Sequence, residues 1–384
     1  MNLLMSSRKT LGGAQPFFGD RIEAILQDIR EALESGELAQ GPKLAAFENA
    51  MAACTGSRYA LGVSSGGVAL ELALKAMGVL GGEVVVPTNT FVASASSVVQ
   101  AGGRPVFCDI ERDTLCLDPL SVEKVLSDRT KAIMVVHMFG LVSPAVVQIR
   151  ELCRRRGLRL IEDAAHAHGA GWDGVPAGRL GDVGCFSFFA TKVLTTGEGG
   201  AITTDDESIK REVLRLRNHG RSVEAPVYEI VSNNYRLAEI PAILGLHQLA
   251  ILDALVRRRR AIAHQYRQQL SDIPGLTLLP DFPDCEHSYW RFPAYVDPTV
   301  DRDDLQRRMH TEHGVRITWM YEPLCHLQPV FGESHGHRRG DFPVGEECMR
   351  RLICLPTHGG ISDADVARVC IGLRSILAAG DTRS

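Results

Sequence analysis

The run Gly184-Cys185-Phe186-Ser187-Phe188-Phe189-Ala190-Thr191-Lys192-Val193-Leu194-Thr195-Thr196-Gly197-Glu198-Gly199-Gly200 sets one lysine between a strand-like apolar stretch and a glycine-rich turn. A primary amine held there is placed to form an imine with an aldehyde. It must be neutral part of the time, and burial or a neighbouring cation would lower its pKa enough. Taken alone, Lys192 also fits a lysine that snorkels to solvent from a loop. Thirty residues earlier, Leu158-Arg159-Leu160-Ile161-Glu162-Asp163 ends an apolar run on two carboxylates. Side chains alternate along a strand, so Glu162 and Asp163 face opposite ways. A carboxylate at the strand end can hold a protonated ring nitrogen, or it can cap a turn or a helix.

An amine and a carboxylate, each at a strand end, meet two needs of pyridoxal phosphate (PLP). The others are a phosphate cradle and a flat group against the ring. Ser64-Ser65-Gly66-Gly67-Val68-Ala69-Leu70 ends a strand, passes two glycines and opens a helix. The N–H groups of Gly66, Gly67 and Val68 would face a phosphate there, aided by the helix dipole; the same pattern also suits a plain strand–helix turn. Ser187 alternates with Phe186 and Phe188, so its hydroxyl points to the site while both rings face the core. Phe91, after Pro87-Thr88-Asn89-Thr90, could stack on the pyridine or pack in the core. His166, three residues after Asp163, could reach the ring oxygen, with His168 filling structure. Two histidines without a third ligand do not make a metal site. His137, His287, Tyr321 and His326 are substrate-pocket candidates by position alone, and each equally suits a structural hydrogen bond.

The elements that carry these residues follow from apolar periodicity. Strands are expected at Tyr59–Val63, Glu83–Pro87, Arg104–Ile110, Lys131–Met138, Leu158–Glu162, Gly184–Phe189 and Gly200–Thr204. Helices fall at Gly67–Met77, Phe91–Ala101 and Pro144–Arg156. This is an α/β domain with a mostly parallel sheet, whose ligand collects at the carboxyl ends of the strands. Helices are also expected over Asp206–Asn218 and Ile240–Leu270, a β run at Tyr289–Val296, helix Arg302–Gly314, strand Val315–Trp319 and helix Asp363–Leu377. An N-terminal arm and large domain would occupy residues 1–254, and a smaller C-terminal α+β domain residues 255–384. Glu333–Asp341 reads as an exposed loop.

The 384-residue chain is 45% hydrophobic and 23% charged, with a net charge of −4, which points to neither a nucleic-acid nor a membrane partner. The basic run Arg257-Arg258-Arg259-Arg260 reads as a helix face. Ten cysteines without a C-x-x-C pair fit reduced thiols. No apolar stretch has the length of a membrane span, and Met1 to Phe18 lacks a signal-peptide layout, so a cytoplasmic protein is expected.

In this order the motifs resemble the DegT/DnrJ/EryC1/StrS family of PLP-dependent sugar aminotransferases. The resemblance runs from Gly41-Pro42 and Phe47-Glu48 through Ser64–Leu70 and Val136-His137-Met138-Phe139-Gly140. It continues through Glu162–Gly169, Phe186-Ser187-Phe188, Thr191-Lys192, Gly197–Gly200 and Asn218-His219-Gly220 to Asn234-Tyr235-Arg236 and Leu327-Gln328-Pro329. It implies the fold-type I aminotransferase architecture and a homodimer with its sites at the subunit interface. Lys192 would hold the cofactor covalently and Asp163 would pair with the pyridinium. Gly66, Gly67 and Ser187 would bind phosphate, joined by Asn234 of the other subunit. His166 stands where relatives carry Gln or His. Gly67 stands where relatives often carry Thr, and Tyr321-Glu322-Pro323-Leu324-Cys325-His326 keeps the Tyr-to-His spacing with its prolines out of register. The implied reaction moves an amino group from glutamate or glutamine to the keto group of a nucleotide-linked deoxysugar. A cyclitol ketone such as scyllo-inosose, or aminohydroxybenzoate-type synthesis, would use the same parts. Lys192 argues against the family's dehydratases, which carry His there; Lys192 and Asp163 together argue against a non-catalytic relative.

Overall fold

The computed structural model describes residues 10–332 and 336–380. The readings of residues 1–9 in the N-terminal stretch and of residues 333–335 in the expected loop lie outside the described residues. Helices α1 (Ile22–Ser35) and α2 (Pro42–Thr55) precede an alternating run: β1 (Tyr59–Val63), α3 (Gly66–Ala76), β2 (Glu83–Pro87), α4 (Val92–Gln100), β3 (Arg104–Cys108), α5 (Pro119–Val125), β4 (Thr130–Val136), α6 (Ala145–Arg156) and β5 (Arg159–Asp163). Two short strands, β6 (Gly171–Trp172) and β7 (Val175–Pro176), lead to β8 (Val183–Ser187) and β9 (Gly200–Thr204). Then come α7 (Glu207–Leu216), α8 (Glu239–Leu249), α9 (Leu252–Leu270), β10 (Leu276–Leu278), β11 (Cys285–Glu286), β12 (Phe292–Val296), α10 (Arg302–His313), α11 (Pro343–Arg351), β13 (Leu352–Leu355) and α12 (Asp363–Gly380).

The main sheet has the order β1-β9-β8-β5-β4-β2-β3. Strand β9 is antiparallel to both its neighbours, and the other pairs are parallel. Alternation divides the side chains between two cores. Val85, Ile133, Val135, Leu160, Phe186 and Phe188 enter one. Val84, Val86, Met134, Ile161 and Cys185 enter the other, against Leu70, Leu72 and Ala73 of α3. Such two-sided burial is what a parallel sheet requires. The same alternation puts Asp163 and Ser187 on the α3 side.

A second, antiparallel sheet has the order β10-β12-β13. The expected boundary at 254/255 falls within α9. Its first turns, through Leu252 and Val256, pack on the large core, whereas Ile262 and Tyr266 pack on a C-terminal one. The helical stretch expected over Ile240–Leu270 is made of two helices, α8 and α9, bent by 57° where they meet. The expected strand Val315–Trp319 does not form. Val315 and Ile317 are buried, but the segment makes only single bridges, Val315 to Leu11 and Thr318 to Cys354, so no ladder develops. Among the described residues no single helix is long and apolar enough to cross a membrane.

Candidate active site

Asp163 is the last residue of β5 and is buried. Its Oδ2 accepts a 2.7 Å hydrogen bond from Ser94 on α4, and Oδ1 accepts one from the Ala165 N–H at 3.1 Å. Ser94 spends its proton on Asp163, so Thr90 donates to the Ser94 oxygen at 2.7 Å. Glu162 takes the opposite face. It accepts from the N–H groups of Gly178, Leu180 and Gly181 and pairs with His137 at 2.8 Å.

Lys192 lies in the turn after β8, partly buried, its N–H donating to the Phe189 carbonyl at 2.9 Å. Its Nζ stands 4.6 Å from the centroid of the Trp290 ring. Burial pulls its pKa down to about 8; Asp163 opposes the shift and Arg291 adds to it. The amine is thus neutral in a useful fraction near pH 7 to 8. Trp290 donates its indole N–H to the Thr191 carbonyl at 2.7 Å, which ties this ring to the lysine's own turn.

His166 stacks on Trp290 with ring centroids 3.8 Å apart, and its Nε2 lies 3.0 Å from the Tyr321 hydroxyl. Burial, then Lys192 and Arg291, depress its pKa, so the ring is neutral and its unpartnered Nδ1 remains available. Burial raises the pKa of Tyr321, which stays a hydroxyl. Phe91 caps α4 with 57% of its surface exposed, its ring 6.0 Å from that of Tyr321. A large apolar ring this exposed beside a buried carboxylate fits a planar partner.

The cradle is explicit at two glycines. A Cβ on Gly66 would come within 2.6 Å of the Ser187 Cβ, so only glycine lets the start of α3 approach the end of β8. At Gly67 a Cβ would meet only Ala93 at 3.8 Å and Ser65 at 3.9 Å, leaving open space. Ser65 caps the helix by accepting from the Val68 N–H at 3.2 Å. Two helix-start N–H groups, the dipole of α3 and the Ser187 hydroxyl suit a phosphate. The residues therefore fit PLP at each of its four requirements. Asn234 is exposed; the adjoining Tyr235 carbonyl accepts from Ser64, and Arg236 bridges Val63, so this segment flanks the cradle of its own chain.

Three sequence candidates do not converge on Lys192. His137 turns to Glu162, on the face away from Asp163, because that buried carboxylate needs it. His326 has both nitrogens engaged, Nδ1 by Thr88 and Nε2 by Glu346 at 3.2 Å. His287 stacks on Tyr289 and lines a cavity with Arg260, His264 and Arg267; burial lowers its pKa to about 3. His168 is buried beside Phe186 and Phe188. Sequence reasoning missed Ser94, Trp290 and Arg291. The spacing of Ser94 from Phe91, about one helical turn, was a usable signal; nothing local marked Trp290.

A lysine of depressed pKa facing a strand-end carboxylate, with a glycine cradle against the end of the lysine's own strand, defines a PLP enzyme on a fold-type I scaffold. The sequence profile of the DegT/DnrJ/EryC1/StrS aminotransferase family matches residues 20–374, and the chain belongs to that family. It is 36% identical over 371 residues to the spore coat polysaccharide biosynthesis protein SpsC of Bacillus subtilis, covering 93% of this chain and 95% of SpsC. It is 35% identical over 336 residues to the GDP-perosamine synthase of Caulobacter vibrioides, covering 86% and 89%. Among solved structures it resembles DesV of S. venezuelae, with a TM-score of 0.89, 33% identity and coverage of 95% and 98%. DesI, solved in the presence of its TDP-sugar product, gives 0.88 and 32%, with coverage of 97% and 93%. The Streptococcus pneumoniae aminotransferase Spr1654, solved in its PLP form, gives 0.88 and 26%, with coverage of 96% and 99%. The chain is a PLP-dependent aminotransferase.

Proposed function

We propose that the protein transfers an amino group from glutamate or glutamine to the keto group of a nucleotide-linked deoxysugar, within amino-sugar biosynthesis. The observation that carries the reaction is Lys192, held between Asp163 and Trp290 with a pKa of about 8. The names of the GDP-perosamine synthase and of DesI with its TDP-sugar support the acceptor class. When bound, PLP supplies the electron sink that stores an amino group between the two half-reactions.

In this reading the neutral amine of Lys192 moves the proton between substrate carbon and cofactor in both halves. Asp163, fixed by Ser94, keeps the pyridine nitrogen protonated. Gly66, Gly67 and Ser187 hold the phosphate, whereas the Val68 N–H, also expected there, is taken by the Ser65 cap; Phe91 covers the ring, and His166 donates to the ring oxygen. Asn234 completes the phosphate site of the partner in a cytoplasmic homodimer. Tyr321, adjacent to His166, is the substrate-pocket residue retained from the sequence candidates.

The test is to load the enzyme with an amino group and offer a panel of keto-sugar nucleotides alongside scyllo-inosose. Return of the aldehyde-form absorbance with a nucleotide-linked ketone supports the reading. Return with the cyclitol alone replaces it by a carbocycle aminotransferase.

A further inference from the structure

Tyr321 and His166 share one hydrogen bond, and its direction decides what His166 can do. The Tyr321 hydroxyl lies 3.0 Å from Nε2, and no other described residue bonds to that hydroxyl. The two rings are within 6° of parallel, with centroids 6.1 Å apart. His166 is held on other sides as well. Its ring stacks on Trp290 at 3.8 Å, and Ser288 donates to its carbonyl at 3.1 Å. A ring fixed at its face, its backbone and Nε2 leaves one atom over, Nδ1, which is buried without a partner. Tyr321 takes its place at a φ of 60°, in the left-handed region that a bulky residue rarely enters. The fold therefore holds this phenol against its own backbone preference.

Burial, then Lys192 and Arg291, keep His166 neutral, and a neutral imidazole has one N–H and one lone pair. Suppose Nε2 carried the proton and donated to Tyr321. The phenol proton and the buried Nδ1 would then both lack a partner, and Nδ1 would turn a lone pair towards a negative ring oxygen. If the phenol donates instead, Nε2 accepts and the proton sits on Nδ1. The one unmet group is then a donor, the complement of an oxygen anion. Burial keeps the phenol protonated, so it can always donate. We propose that Tyr321 is a positioning residue for the cofactor: its hydroxyl fixes the Nδ1–H tautomer of His166 and so makes that histidine a donor to the ring oxygen. The inference rests on the reading, given above, that His166 meets that oxygen. It also separates this histidine from a glutamine in the same place. An amide offers an N–H whichever way it turns, whereas a histidine depends on the partner of its second nitrogen.

The test reads the pH midpoint of the bound cofactor's visible absorbance in the PLP-loaded enzyme. A donor at the ring oxygen shares its negative charge and loosens the proton on the neighbouring Lys192 nitrogen, so losing the donor raises the midpoint. Tyr321→Phe keeps the ring and its packing. It should raise the midpoint by about one pH unit or more, the worth of one hydrogen bond to a charged group. His166→Leu should raise it at least as far. His166→Gln should stay near the wild type, and adding Tyr321→Phe to it should move the midpoint by less than about 0.3 unit. Equal shifts from Tyr321→Phe with and without His166→Gln would show the phenol acting on the cofactor directly and would overturn the relay. So would a Tyr321→Phe midpoint at the wild-type value while His166→Leu is shifted. Wild-type midpoints in both Tyr321→Phe and His166→Leu remove the ring-oxygen reading itself, a result distinct from failure of the relay alone. PLP affinity by equilibrium dialysis should fall by about tenfold for Tyr321→Phe and recover in the double variant with His166→Gln. A loss that persists in the double variant marks a packing role and also overturns the proposal.

Discussion

Trp290 donates its indole N–H to the carbonyl of Thr191 at 2.7 Å and holds its ring 4.6 Å from Lys192 Nζ. Strand β12 of the second sheet begins two residues later, so one side chain joins that sheet to the turn that carries Lys192. Trp290→Phe keeps an aromatic face and removes the donor, leaving the partly buried Thr191 carbonyl without it. The expected cost is about 1–3 kcal/mol in urea denaturation, together with slower cofactor capture. Unchanged stability would show that the Thr191 turn does not depend on the indole.

The pKa of Lys192, about 8 against 10.5 for an ordinary lysine, sets a pH dependence. Capture of PLP by the cofactor-free protein needs the neutral amine, so its rate should rise to a midpoint near 8 and then level off. Between about 8 and 10.5 the unfolded chain binds a proton that the folded chain does not. Stability of the cofactor-free protein should therefore rise with pH through that window, the full cost being present below it. Asp163→Asn removes the charge that favours the ammonium and should move the capture midpoint lower. A midpoint near 10 in the wild type would contradict the burial of the amine.

Ser94 is the hydroxyl that fixes Asp163. Ser94→Ala removes one hydrogen bond to a carboxylate and should slow both half-reactions by about tenfold or more. Cofactor loading through Lys192 should survive, read from the absorbance of the bound cofactor.

The two cradle glycines should respond differently. Gly66→Ala forces a Cβ against Ser187 at 2.6 Å and must push α3 away from β8. PLP affinity, measured by equilibrium dialysis, should fall by about tenfold or more, the loss of at least one charge-assisted contact. Gly67→Ala meets nothing closer than 3.8 Å and should preserve affinity, while adding up to about 1 kcal/mol of helix stability.

Glu162 separates structure from chemistry. It is fully buried and bonded to three backbone N–H groups and to His137. Glu162→Ala should cost at least about 3 kcal/mol of unfolding free energy. Asp163→Ala, one residue on, should mainly abolish turnover. Similar melting temperatures for the two variants would contradict this division.

The sequence by itself determined what is local. Alternation in Leu158–Asp163 and in Phe186-Ser187-Phe188 separated Glu162 from Asp163 and Ser187 from its phenylalanines, because a strand's period of two leaves no other arrangement. The strand–glycine–helix order located the turn from β1 into α3, and the order of motifs fixed the family. The α/β alternation located every strand of the main sheet. What only the tertiary structure decided were meetings between distant segments. Trp290 comes to Lys192 because the residue leading into β12 packs on the large core, and no spacing in the chain encodes that approach. His137, His287 and His326 looked equivalent to Tyr321 as sequence. Buried partners claimed the first and third, and stacking on Tyr289 turned the second away, because a polar group out of water takes whatever partner the packing brings. Val315–Trp319 alternates like a strand, yet the segments beside it allow only single bridges. A hydrophobic pattern specifies which face is buried; a ladder also needs a neighbour of matching length.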